Sequence, residues 1–110
     1  MTALRDRRCK ACPPGTPALE PARSAELLRQ LAPGWRLAED GLSLKRAFGF
    51  EDFYRTMAFV NAVAWIANAE DHHPDLEVGY NYCRATFATH SIGGLSENDF
   101  ICAAKIDALG

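Results

Sequence analysis

The chain has 110 residues, the size of one small domain, and its 48% hydrophobic content with six Phe marks a chain that folds rather than a disordered segment. A formal charge of -2 from 12 basic and 14 acidic residues gives no field that would draw it to nucleic acid, so direct nucleic-acid binding is not expected. No apolar run is long enough to span a bilayer, since even residues 57–69 are interrupted by Asn61 and Asn68, and residues 1–21 lack the apolar core of a signal peptide. A soluble, cytoplasmic protein without membrane contact is expected.

Pro13, Pro14, Pro17 and Pro21 oppose both helix propagation and a central strand, so residues 1–21 read as a flexible N-terminal arm and residues 22–110 as a single domain. Arg5, Arg7, Arg8 and Lys10 make the arm locally basic, but no aromatic residue is interleaved with them and a solvated arm is the simpler reading. Cys9 and Cys12 form one CxxC without a second spaced pair, a poor zinc signature, while Cys83 and Cys102 lie in apolar contexts suited to burial.

Leu27, Leu28 and Leu31 predict a short helix over 23–31, stopped by Pro33-Gly34. Two strands, 35–39 and 42–48, are expected to meet at Asp40-Gly41 in a tight hairpin. Residues 51–70 carry the clearest helical pattern: Phe53, Met57, Val60, Ala64 and Ala67 follow one stripe, widened by Phe59, Val63 and Ile66. Pro74 disfavours helical dihedrals at His73, so this helix should end before the histidine pair. Residues 76–80 and 82–89 read as strands, with Cys83, Ala85 and Phe87 on one face and His90 off the end of the other. Ser96 and Asp99 have capping-box spacing for a last helix. The order helix-strand-strand-helix-strand-strand-helix predicts an α+β domain with helices on one face of an antiparallel sheet.

All three histidines, His72, His73 and His90, fall between the long helix and the last helix start. Imidazole exchanges a proton near pH 7 at little cost, so such a set suits general acid–base work. Adjacent His72 and His73 cannot share one helical face; the turn before Pro74 must aim them, and His90 must arrive from a distant strand end. A metal reading of the HHx16H spacing is nonspecific. Asp71 is equally suited to orienting an imidazole or to ending the helix, Asp75 to binding substrate or to hydrogen-bonding its own turn, and Asp99 to the site or to the cap. No Gly-rich phosphate loop is present, and no cofactor is expected.

His72-His73-Pro74-Asp75, Tyr80-Asn81, Thr89-His90 and Gly94-Leu95-Ser96-Glu97-Asn98-Asp99 together resemble the signature of pterin-4a-carbinolamine dehydratases, over roughly residues 27–109, and the opening with Cys9 and Cys12 resembles bacterial members. The resemblance implies a four-stranded antiparallel sheet with three helices on one face. It also implies dehydration of 4a-hydroxytetrahydropterin to quinonoid dihydropterin and water, supporting pterin recycling after aromatic amino-acid hydroxylation. His72, His73 and His90 would form the active site, the last two favoured for proton transfer and the first for pterin binding or support, without a metal. Asp71, Pro74, Asp75, Thr89, Ser91 and Asp99 are candidate substrate-binding or supporting residues. A homodimer or homotetramer is implied, as is an aromatic amino-acid hydroxylase or regulatory protein as candidate partner. A purely regulatory module, or a molybdenum-cofactor-associated relative with another pterin substrate, are the alternatives. Gly79 and Cys83 are weak strand formers, and Leu76 stands where similar enzymes often carry an aromatic.

Overall fold

A computed structural model describes residues 2–109. Pro21 opens helix α1 (Pro21–Leu28), where its missing N–H and fixed φ fit the first turn, and tighter turns carry the chain on to Leu31. Strands β1 (Arg36–Leu37) and β2 (Leu44–Gly49) follow, then α2 (Phe53–Glu70), β3 (Asp75–Val78), β4 (Tyr82–Phe87) and α3 (Glu97–Asp107). All pairings in the sheet are antiparallel, in the order β1-β2-β4-β3. This is the α+β plan and the element order expected from the sequence.

The first hairpin is looser than expected. Asp40 Oδ1 accepts the Leu42 amide at 2.9 Å and Gly41 takes a φ of 72°, so the reversal spans the residues between Leu37 and Leu44 rather than two. In β4 the alternation is as expected: Cys83, Ala85 and Phe87 are buried, and Tyr82 and Arg84 face outward. Gly79 follows β3, and the Tyr82 ring occupies the space that a Cβ there would need.

Asp52 caps α2 by accepting the Arg55 amide at 2.8 Å. The inward face of α2 is Thr56, Val63, Ile66 and Ala67, while Phe53 and Ala64 of the expected stripe are exposed. A helix apolar nearly all round has no periodicity that selects its buried side. Leu27 of α1, Val63 and Ile66 of α2, Phe100, Ile101 and Ile106 of α3 and Phe87 of β4 make one core, each such side chain contributing roughly 1.5–3 kcal/mol on burial.

The segment ahead of α1, expected as a flexible arm, is laid along α3. Leu4, in a short 3-10 turn, is 5% exposed and joins the core. The Cys9 amide donates to Glu70 Oε1 at 2.8 Å, the Lys10 amide to Asn98 Oδ1 at 3.0 Å, and Asn98 Nδ2 returns a bond to the Lys10 carbonyl at 2.6 Å. Arg7 pairs with Glu97 at 2.6 Å and Arg8 with Glu70 at 2.9 Å. Prolines forbid regular structure but not extended packing, and here side chains satisfy the backbone groups that no ladder satisfies. The strap also explains why α3 is buried on nearly every side.

Candidate active site

The helix α2 ends in a reversal that aims the histidine pair. Asp71 adopts φ 52°, its amide reaching the Asn68 carbonyl at 3.4 Å, and the His72 amide reaches the Ala67 carbonyl at 3.1 Å. That is a Schellman ending with Asp where Gly is usual. It turns His72 inward over the Phe87 ring, centroids 6.0 Å apart and planes within 8°, while His73 points to solvent.

Asp99, fully buried in the first turn of α3, collects the donors. Its Oδ1 lies 2.6 Å from His72 Nε2; its Oδ2 accepts the Thr89 hydroxyl at 2.8 Å and the Ser96 amide at 3.0 Å. With Oδ2 accepting two hydrogen bonds, Oδ1 is the acceptor left for the ring, and a proton on His72 Nε2 completes the 2.6 Å contact. Because Thr89 gives its proton to Asp99, the 2.7 Å contact between Thr89 and Ser96 hydroxyls runs from Ser96 to Thr89. Asp99 is thus both the helix cap and the tie between the His72 turn and the end of β4.

Thr89 is fixed further by its bridge to Gly94, its amide donating to the Gly94 carbonyl at 2.8 Å. The chain between them is a 3-10 turn, His90–Ile92, closed by Gly93 at φ 64°. His90 is exposed on that turn, and the Ser91 hydroxyl donates to the Cys12 carbonyl of the strap at 2.6 Å. His73 Nε2 lies 3.1 Å from Asn68 Oδ1, an acceptor, so Nε2 is the ring nitrogen that donates in this contact.

The structure therefore joins His72, Thr89 and Asp99 directly, and carries His73 and His90 on the neighbours of the first two. Pro74 is half-buried at the start of β3, and Asp71 and Asp75 are exposed beside the histidine turn. Asn68, Ser96 and Cys102, whose sulfur approaches the His72 carbonyl at 3.9 Å, were not expected at the site. Asn68 had a readable signal, a polar side chain in an apolar helix five residues before His73. Two concavities, of about 580 and 590 Å³, are lined by Arg46, Phe48 and Asp107 and by Trp65, Ile66 and Lys105, away from the histidines. Among the described residues no three His, Cys, Asp or Glu side chains converge as a metal cage.

Glu70 anchors the strap behind the site. Partial burial acts to raise its carboxyl, but the Cys9 amide, Lys105 and Arg8 outweigh that and hold it below the ordinary carboxylate range. Burial raises the Cys83 thiol.

A family model described as pterin 4 alpha carbinolamine dehydratase matches residues 17–109. The chain belongs to the pterin-4a-carbinolamine dehydratase family. A Nitrosomonas europaea protein provisionally named pterin-4-alpha-carbinolamine dehydratase is 58% identical over 106 residues, covering 96% of this chain and 92% of its own. A Legionella pneumophila protein of the same provisional name is also 58% identical, covering 96% and 94%. Among solved structures, the transcriptional coactivator/pterin dehydratase of Brucella melitensis superposes with a TM-score of 0.79 at 34% identity, covering 84% of this chain and 98% of that one. A pterin dehydratase-like RuBisCO assembly factor of the alpha-carboxysome gives 0.60 at 28%, covering 69% and 88%. The family model starts within the strap, at residue 17, so Cys9 and Cys12 lie outside it.

Proposed function

We propose that this dehydratase-family protein converts 4a-hydroxytetrahydropterin to quinonoid dihydropterin and water by histidine acid–base catalysis, as a hydro-lyase in pterin recycling after aromatic amino-acid hydroxylation. The observation that carries the reading is Asp99, whose two oxygens tie the helix exit bearing His72 and His73 to the strand end bearing Thr89 and His90.

Hydroxide leaves poorly from carbon 4a unless it is protonated, and the C=N bond forms only as the proton on ring nitrogen 5 is removed. His73, its Nε2 proton given to Asn68, offers Nδ1 as the base for the nitrogen proton. His90 in its protonated form supplies the proton to the hydroxyl, which departs as water. His72 is committed to Asp99 and acts as the support that holds the pair at a fixed angle. The backbone of the turn His90–Ile92, with Ser91 and Thr89 flanking it, supplies donors and acceptors for the pterin edge. Asp71 and Asp75, both exposed beside the histidine turn, are assigned to the polar rim of the pterin, with Pro74 between them as the backbone restraint.

No helix among the described residues is long and apolar enough to cross a membrane. A homodimer or homotetramer fits the exposed Tyr54 and Trp65 on the outer side of α2, 83% and 73% exposed. The two solved relatives, a transcriptional coactivator/pterin dehydratase and a RuBisCO assembly factor, favour a second reading in which the protein also engages a regulatory partner; a hydroxylase partner belongs to the proposed recycling role.

The test is to mix purified protein with enzymatically generated 4a-hydroxytetrahydropterin and follow dehydration by ultraviolet absorbance, beside His72→Ala, His73→Ala and His90→Ala. Rates equal to the uncatalysed reaction in the parent protein, or undiminished in all three variants, overturn the reading.

A further inference from the structure

The CxxC of the strap is not a pair in space: the contact runs from Cys9 to Cys102 of α3, with the sulfurs 3.6 Å apart. Cys12 Sγ instead accepts from Asn98 Nδ2 at 3.5 Å. The seating of Cys9 is built on both sides, by its own amide on Glu70 and by the two bonds between Lys10 and Asn98, so the sulfur contact belongs to a fixed backbone. Cys102 is fully buried and Cys9 only partly so, which makes Cys9 the sulfur that a small oxidant meets first. Its hydrogen bond with Cys9 and its burial raise the Cys102 thiol, which again leaves the first encounter with an oxidant to Cys9.

We propose that Cys9 and Cys102 are a peroxide-responsive modification site, closing to a reversible disulfide that pins the N-terminal strap onto α3. Cys9 as thiolate attacks one oxygen of hydrogen peroxide, the O–O bond breaks, and hydroxide leaves a sulfenic acid on Cys9. The Cys102 sulfur then attacks the Cys9 sulfur, the S–S bond forms, and the departing hydroxide takes the Cys102 proton as water. Two thiols are oxidised and one peroxide is reduced to water; a small thiol reverses the cross-link. The cross-link acts beside the candidate site, because the Cys12 carbonyl on the same strap holds Ser91, the neighbour of His90.

The test is independent of pterin turnover. Trypsin separates the cysteines onto different peptides: Cys9–Lys10, Ala11–Arg23, Thr56–Arg84 and Ala85–Lys105. The full chain is treated with an equivalent of hydrogen peroxide, alkylated after denaturation and digested without reductant. The expected product is Cys9–Lys10 joined to Ala85–Lys105, released by dithiothreitol, with the loss of two of the four free thiols. It disappears in Cys9→Ser, whose fold is checked by circular dichroism, and persists in Cys12→Ser. A link to Ala11–Arg23, a link between two chains, or Cys9 oxidised to sulfinic acid with Cys102 fully alkylated overturns the proposal.

Discussion

His72 Nε2 meets Asp99 Oδ1 at 2.6 Å, joining the exit of α2 to the first turn of α3 across 27 positions of sequence. Asp99→Ala leaves His72 and Thr89 without their buried acceptor and is expected to destabilise the protein by about 3 kcal/mol, read as a shift of the denaturant midpoint. In the fraction that remains folded, dehydration falls by roughly 10²-fold because the histidine turn loses its angle. An unchanged midpoint would show that the carboxylate is not the tie.

His73 and His90 separate catalysis from stability. Both are exposed, so His73→Ala and His90→Ala are expected to stay within about 0.5 kcal/mol of the parent in denaturant melts. Turnover should drop roughly 10²- to 10⁴-fold in each if they exchange the protons. His72→Ala should lose both stability and turnover. The three variants measured side by side distinguish proton transfer from support.

Much of this layout is legible in the chain. Pro74 announces that α2 must end before the histidines, the alternation of Cys83, Ala85 and Phe87 fixes the buried face of β4, and Ser96 with Asp99 marks the start of α3. The strap is not legible, because the side chains that seat it, Glu70 and Asn98, stand 61 and 88 residues from their partners and leave no periodic trace. The partner of Asp99 is hidden for the same reason: capping is local and visible, while its bond to His72 is tertiary. The inward side of α2 could not be read either, since its apolar residues surround the helix and only the neighbouring strand and helix choose among them.

Asp71 tests whether the site spends stability on its turn. At φ 52° an Asp carries conformational strain that glycine does not. Asp71→Gly is expected to raise stability by about 0.5–1 kcal/mol in thermal or denaturant melts. If the carboxylate serves the pterin rim, the same variant raises KM with kcat little changed; an unchanged KM confines Asp71 to ending the helix.

Glu70 gives a pH signature. Its carboxyl titrates lower in the folded protein than its ordinary value of 4.5, so its contribution is fully present above that value and is lost as pH falls through the folded pKa. Glu70→Gln should cost about 1 kcal/mol at neutral pH and flatten the stability profile below pH 4.5. Melts from pH 3 to 7 on parent and variant check this; parallel profiles would refute it.

The carboxylate of Asp107 accepts from Trp35 Nε1 at 2.8 Å, Arg46 Nη1 at 2.8 Å and the Ala32 amide at 2.9 Å. Three donors from the first hairpin and its approach thus converge on the final turn of α3. During synthesis on the ribosome the approach to β1 lacks this carboxylate anchor until residue 107 has left the exit tunnel, however early its own residues emerge. The two-residue edge strand is therefore flanked by tethers to the last helix as well as held by its own ladder, and a lesion in that final turn would be felt first 61 to 75 residues earlier in the sequence.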